Sequence, residues 1–310
     1  MLKPIREYKY DFRESLKEIV KKYEIEYKNE YWLYLSLNIN AIPILVKNLD
    51  KVNWMSLSRN PNAIHILENN LDKVNWYQIS RNPNAIHILE KNLDKVVRKL
   101  DWYYLSTNPN AIHILEKNLD KVSWCRLSSN PNAIHILEKN LDKVVWTWLS
   151  LNPNAIHLLE NLDKVCWWNL SENPNAIPIL ENNLDNVNWR TLSENPNAIY
   201  LLENNLDKVD WRRLSRNPNA IHLLEEHLDK VDWPSLSANP NAIHLLEKNL
   251  DKVYCKNLLT NPNIFVDEYE QACRAYFKQY VTEELTRLMF HPKNIDKFKD
   301  WGFEEEEDDD

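Results

Sequence analysis

Glycine is almost missing from this 310-residue chain: it occurs once, at Gly302. Phosphate-cradling loops, dinucleotide fingerprints and nucleophile elbows all need glycine at fixed offsets, so none of them can be built here. Cysteine is nearly as scarce. Cys125, Cys166, Cys255 and Cys273 stand far apart and follow no metal-ligand spacing, which points to a reducing, intracellular setting. No apolar run approaches the roughly 20 residues of a membrane span, and the first residues, Met1 to Lys9, are charged where a signal segment would be apolar. A soluble protein with no membrane partner is the expectation. Strong net charge is also absent from the body of the chain. The seven acids Glu304 to Asp310 account for all but one unit of the net −8, so they read as a disordered acidic tail on a nearly neutral protein.

What is abundant is tryptophan, 13 copies, and it recurs in phase. Trp32, Trp54, Trp76, Trp102, Trp124, Trp146, Trp167, Trp189, Trp211 and Trp233 are 22 residues apart except for one step of 26 and one of 21, and Cys255 holds the same phase in an eleventh unit. The unit reads W-x-x-L-S-x-N-P-N-A-I-H-I-L-E-K-N-L-D-K-V-x. Periods of this size mark solenoids, in which no unit buries its apolar face alone. In the unit that starts at Asn53, that residue caps a short helix carrying Trp54 and Leu57. Asn60 caps a second helix opened by Pro61, with Ala63, Ile64, Ile66 and Leu67 as its buried stripe. Without glycine, the left-handed residue that ends such a helix falls to Asn70, Asn92, Asn118 and Asn140, and to His227 in one unit. Leu71 and Val74 follow as apolar plugs. Helices this short need stacking to persist, and an enclosed Trp54 ring would cost about 3–5 kcal/mol to truncate. The long step puts extra residues at Val96 to Leu100, as a loop or a longer helix; the short step removes one near Glu160.

The predicted fold is therefore all-α: a tandem-repeat α-solenoid, a superhelix of about eleven two-helix units with helical N- and C-terminal caps. Residues 1–30 form the first cap, on Leu16, Ile19, Val20 and Tyr23; 31–263 the solenoid; 264–303 the second cap, on a stripe from Tyr269 to Leu288; and 304–310 the tail.

The unit L-S-x-N-P-N-A-I-H-L-L-E-x-N-L-D-K-V-x-W, with the ending Leu285-Thr-Arg-Leu-Met-Phe-His291-Pro292 and Asp300-Trp-Gly-Phe303, resembles the tandem-repeat proteins of giant nucleocytoplasmic large DNA viruses of amoebae and algae. The resemblance spans about residues 30 to 303. It implies a viral protein made in a host cell, in the cytoplasm, the viral factory or the virion, and it carries over no catalytic residue. A looser likeness to leucine-rich-variant repeats, which share the asparagine-proline turn, bears on the α-solenoid architecture alone.

Three readings apply to His65, His87, His113, His135, His157, His222 and His244, which hold one repeat phase: a metal or catalytic ladder, a pH-sensitive binding groove, or structural histidines bonded within their repeats. Neighbours about 10 Å apart cannot share a zinc ion, which favours the structural reading. Pro43, Pro178 and Tyr200 occupy the same phase. No cofactor or metal is expected, and nothing resembles an enzyme site. The residues just after each Trp vary between units. Tyr77, Tyr103, Tyr104, Arg126, Trp148, Trp168, Arg190, Arg212 and Arg213, with Arg216, form a candidate partner-binding stripe of interface-prone types, although neutral drift of solvent-facing positions gives the same variation. The leading expectation is a non-enzymatic scaffold for a viral or host protein. Self-association as a virion or viral-factory component is the alternative, and RNA binding is disfavoured by the neutral body and by Glu172 and Glu194.

Overall fold

The computed structural model describes residues 10–96, 101–159 and 162–267. Among these are 21 α-helices and two three-residue strands, so the fold is all-α and built on helical repeats. It divides into two units. In one, the strands β1 (Tyr10–Phe12) and β2 (Phe265–Asp267) pair antiparallel with Phe12 opposite Phe265, their rings 4.8 Å apart. Tyr10–Phe12 is thus a strand where a helical cap was expected. The predicted C-terminal cap and acidic tail lie outside the described residues.

The other unit, Arg13–Ile264, holds the repeats. Its N-terminal helix α1 (Glu14–Glu26) buries Leu16 and Val20 and leads into α2 (Lys28–Leu37), which carries Trp32. From there each repeat has a first helix of four to six residues beginning at the Trp position, a turn through Asn-Pro-Asn, and a second short helix. The first helix begins as expected: the Asn53 side chain accepts the Ser56 N–H, and Asn75, Asp101, Asn188, Asp210 and Asp232 cap in the same way. The long repeat resolves its insertion by lengthening a helix, Ile86–Val96. The short one replaces its second α-helix with 3-10 turns at Ile156–Leu158 and Leu162–Lys164.

Four expectations need correction. Asn60 caps a turn, not the helix itself: its Oδ1 accepts the Asn62 N–H, Pro61 sits within that turn, and the helix starts at Ile64. At the helix-ending phase His227 is not left-handed, with φ of −131°, and neither are Asn183 and Asn249, with φ of −138° and −134°. Their side chains do the work instead, as when Asn70 Nδ2 donates to the Ile66 carbonyl at 2.8 Å, satisfying an acceptor that the helix end leaves open. His227 lacks that amide and stacks on Trp211, ring centres 5.0 Å apart. Leu71 is no plug: it stands exposed at the tip of the turn closed by the Lys73 N–H on the Asn70 carbonyl, while Val74 is buried. Finally, Trp54 is half-buried, with Lys73 Nζ 5.0 Å above its ring, and the fully buried positions are Leu57, Ala63 and Leu67.

Between repeats the cohesion is polar as well as apolar. Asn60, 1% exposed, donates from Nδ2 to the carbonyls of Ser36 and Asn38, at 3.1 and 2.9 Å. Its own carbonyl then accepts from Asn82 at 2.9 Å, and the pattern continues through Asn108, Asn130, Asn152, Asn173, Asn195, Asn217, Asn239 and Asn261. Alongside, Asn62 and its equivalents donate to the residue that follows the core asparagine of the preceding repeat, as Asn84 does to the Pro61 carbonyl. Ser58 Oγ donates to the Trp54 carbonyl and accepts the Asn75 N–H of the next repeat.

The first repeat takes its bonds from the last. Asn38 Nδ2 donates to the carbonyls of Leu259 and Asn261, both at 2.8 Å, and Asn40 donates to Pro262 at 2.9 Å. Leu259 stands where other repeats have the bridging serine. The N–H it cannot receive, on Tyr31, instead bonds within the lengthened α2 to the Tyr27 carbonyl.

Replacing Asn152 by alanine strands two buried carbonyls and should cost on the order of 3 kcal/mol in urea denaturation. Asn38→Ala should cost about as much, which a residue at the free end of an open array would not. Trp54→Ala, losing a half-exposed ring, should cost only about 1–2 kcal/mol.

Candidate functional site

The first helices of successive repeats pack directly on one another, including α2 on the helix Cys255–Leu258, whereas the second helices are more widely spaced. In a curved array the closely spaced layer lies on the inside of the curve. Residues one, two and five places after the Trp share the helix face opposite Leu57 and Ser58, the face that a curved array of this kind would turn inward. This face contains the variable stripe.

Its first half is a continuous stack across repeats. Tyr77 is 50% exposed, with Tyr104 edge-on at 6.4 Å; Tyr103 meets Tyr104 edge-on at 5.1 Å. The Arg81 guanidinium lies 3.2 Å from the centre of the Tyr104 ring. Arg126 is held between two rings, 4.2 Å from Tyr103 and 4.2 Å from Trp148. The Nε atoms of Arg81 and Arg126 are buried there without an acceptor among the described residues. A hydrogen bond to Asp101 holds the Tyr77 phenol above its usual range.

The second half is looser. Trp168 is exposed, and its carbonyl accepts from Thr191 Oγ1. Arg190 reaches Asp210 at 3.5 Å, and Arg213 pairs with Glu194 at 2.8 Å, while Arg212 and Arg216 are exposed. Three further cations lie on this face: Arg59 and Arg81, five places after their Trp as Arg216 is, and Lys256, directly after Cys255. Burial, and then the charge of Arg81, push the Arg59 guanidinium below its ordinary range. Lys256 sits over Tyr34 of the first repeat at 5.1 Å, and the hydrogen bond that its ammonium donates to that phenol raises it.

The histidines lie elsewhere, on the second helices, and bond between repeats instead of within them. His87 Nε2 meets Glu68 at 2.8 Å, His113 meets Glu90, His135 meets Glu116, His157 meets Glu138, His222 meets Glu203 and His244 meets Glu225. His65 faces a repeat with Val46 at the glutamate position. Where the last repeat has Val266 at the histidine position, Glu247 of the repeat before it bonds Ser15 and lies 3.7 Å from Arg13. Among the described residues no group of three or more His, Cys, Asp or Glu is placed to hold a metal ion, and no helix is long and apolar enough to cross a membrane.

Against known proteins, no family model, curated sequence or solved structure matches this chain.

Arg126→Ala should cost about 1–2 kcal/mol by thermal or urea denaturation, because two ring contacts go with it, whereas the exposed Arg212→Ala should fall within about 0.5 kcal/mol of the parent. Glu116→Gln should change stability by less than about 1 kcal/mol, since the pair it breaks is half-exposed.

Proposed function

We propose that the Arg13–Ile264 unit is a closed ring of eleven two-helix repeats, and that the protein is a non-enzymatic scaffold holding a protein partner on the inner face of that ring. The bonds from Asn38 and Asn40 to the last repeat support closure, which needs a rotation of about 33° per repeat. The observation that carries the function is the stack of Tyr103, Arg126 and Trp148 across repeats. Positions free of core packing have been filled with the residue types that dominate binding hot spots, and their geometry is set before any partner arrives. Neutral drift of solvent-facing residues would scatter types without interlocking them. A viral or host protein of an infected cell as partner accords with the resemblance of the repeats to giant-virus proteins.

Affinity purification of the tagged protein from infected host cells, read by mass spectrometry, tests this beside a variant with Tyr77→Ala and Arg212→Glu, two exposed changes that leave the fold intact. A partner enriched with the parent and lost with the variant is the expected result. Recovery of only the protein itself or of virion components would replace the scaffold by a structural, self-associating role. A partner retained by the variant would move the binding site off this face.

A further inference from the structure

We infer that the partner segment held by the inner face is an extended acidic stretch of protein whose carboxylates are taken by Arg59, Arg81 and Arg126. This rests on the scaffold reading above and adds the partner's chemistry.

Charge is distributed unevenly over the molecule. Acids outnumber bases in the whole chain, 46 to 38, yet on the inner face the balance reverses: besides Arg59, Arg81 and Arg126 it carries Lys256 and the cluster around Arg212, against the acids Glu172 and Glu194. Glu194 is already tied to Arg213. The positive character is concentrated where like charges meet, since Arg59 and Arg81 belong to neighbouring repeats and the charge of Arg81 disfavours that of Arg59. An anion between them would relieve that repulsion.

The arginines are also presented in a particular way. Arg81 is held 3.2 Å from the centre of the Tyr104 ring, and Arg126 4.2 Å from both Tyr103 and Trp148, so both guanidiniums are positioned by ring contacts of the protein itself. A guanidinium immobilised in this manner suits the planar, two-oxygen fork of a carboxylate and loses little freedom on binding it. The same stacking argues against a single-stranded nucleic acid, which needs free aromatic faces for its bases. Here Arg81 covers Tyr104 and Arg126 covers Tyr103 and Trp148. Lysines cover repeat-phase rings such as Trp124 and Trp189. Packed helices are about 8–10 Å apart and an extended chain rises about 3.3 Å per residue, so acids at every third position would meet successive repeats.

Fluorescence anisotropy with the whole protein and a labelled synthetic peptide, glutamate at every third position and serine between, tests the assignment. The peptide should bind, and the Arg59→Ala, Arg81→Ala double variant should bind it at least about tenfold more weakly. Arg59→Gln, which leaves the Arg81 stack in place, should lose part of the affinity with an unchanged melting curve. No binding by the parent, equal binding by the double variant, or tighter binding of oligouridylate than of the peptide at the same salt would each overturn the inference. In those cases a partner still captured from infected cells and lost with the Tyr77, Arg212 variant would keep the scaffold and discard only the acidic segment; failure of both would discard both.

Discussion

A buried primary amide has two N–H donors and one acceptor oxygen to satisfy, and in this protein it satisfies the donors across the junction between repeats. Asn60 reaches the carbonyls of Ser36 and Asn38, closes its own turn through Oδ1, and offers its carbonyl to Asn82. Those contacts tolerate only a narrow range of distance and angle, so they set the separation and rotation of neighbouring repeats more tightly than Leu-on-Leu packing, which is non-directional. The tight turn places Ala63 fully buried against the core, and the bridging serine then receives the N–H that begins the next first helix. The rest of the repeat is arranged around that register.

The substitutions in the two terminal repeats make sense together. Leu259 has no hydroxyl to receive the Tyr31 N–H, and α2 begins early enough to supply the Tyr27 carbonyl instead. Val266 stands where Glu247 would meet a histidine, and Ser15 of α1 takes its place. Cys255 sits in the tryptophan phase with its thiol toward the Ile19 carbonyl in α1, and burial pushes that thiol up to about 12. Each departure from the repeat pattern at one end has its compensation at the other.

The all-α character, the period and the first-helix caps were legible because they depend on contacts within about one repeat, where spacing reports geometry. The stripe was legible as variation, and Tyr103, Arg126 and Trp148 do come together. What escaped detection was mostly long-range. Contact between Asn38 and Leu259 leaves no local periodicity, and only the odd residue at Leu259 hinted at it. The burial of tryptophan was overstated because recurrence was taken for enclosure; a ring at the margin of the core face recurs just as faithfully, covered by a lysine. The charge of the inner face was hidden by averaging, since a body close to neutral conceals two surfaces of opposite sign.

The bonds of Asn38 have one more consequence. A linear array of short helices frays from its ends, where a unit can peel away after breaking a single junction, and the loss then propagates. In the closed ring proposed above, every repeat has two neighbours, so detaching any one breaks two junctions at once. Helices of one or two turns, too short to last alone, are held in an assembly with no favoured place to begin unravelling.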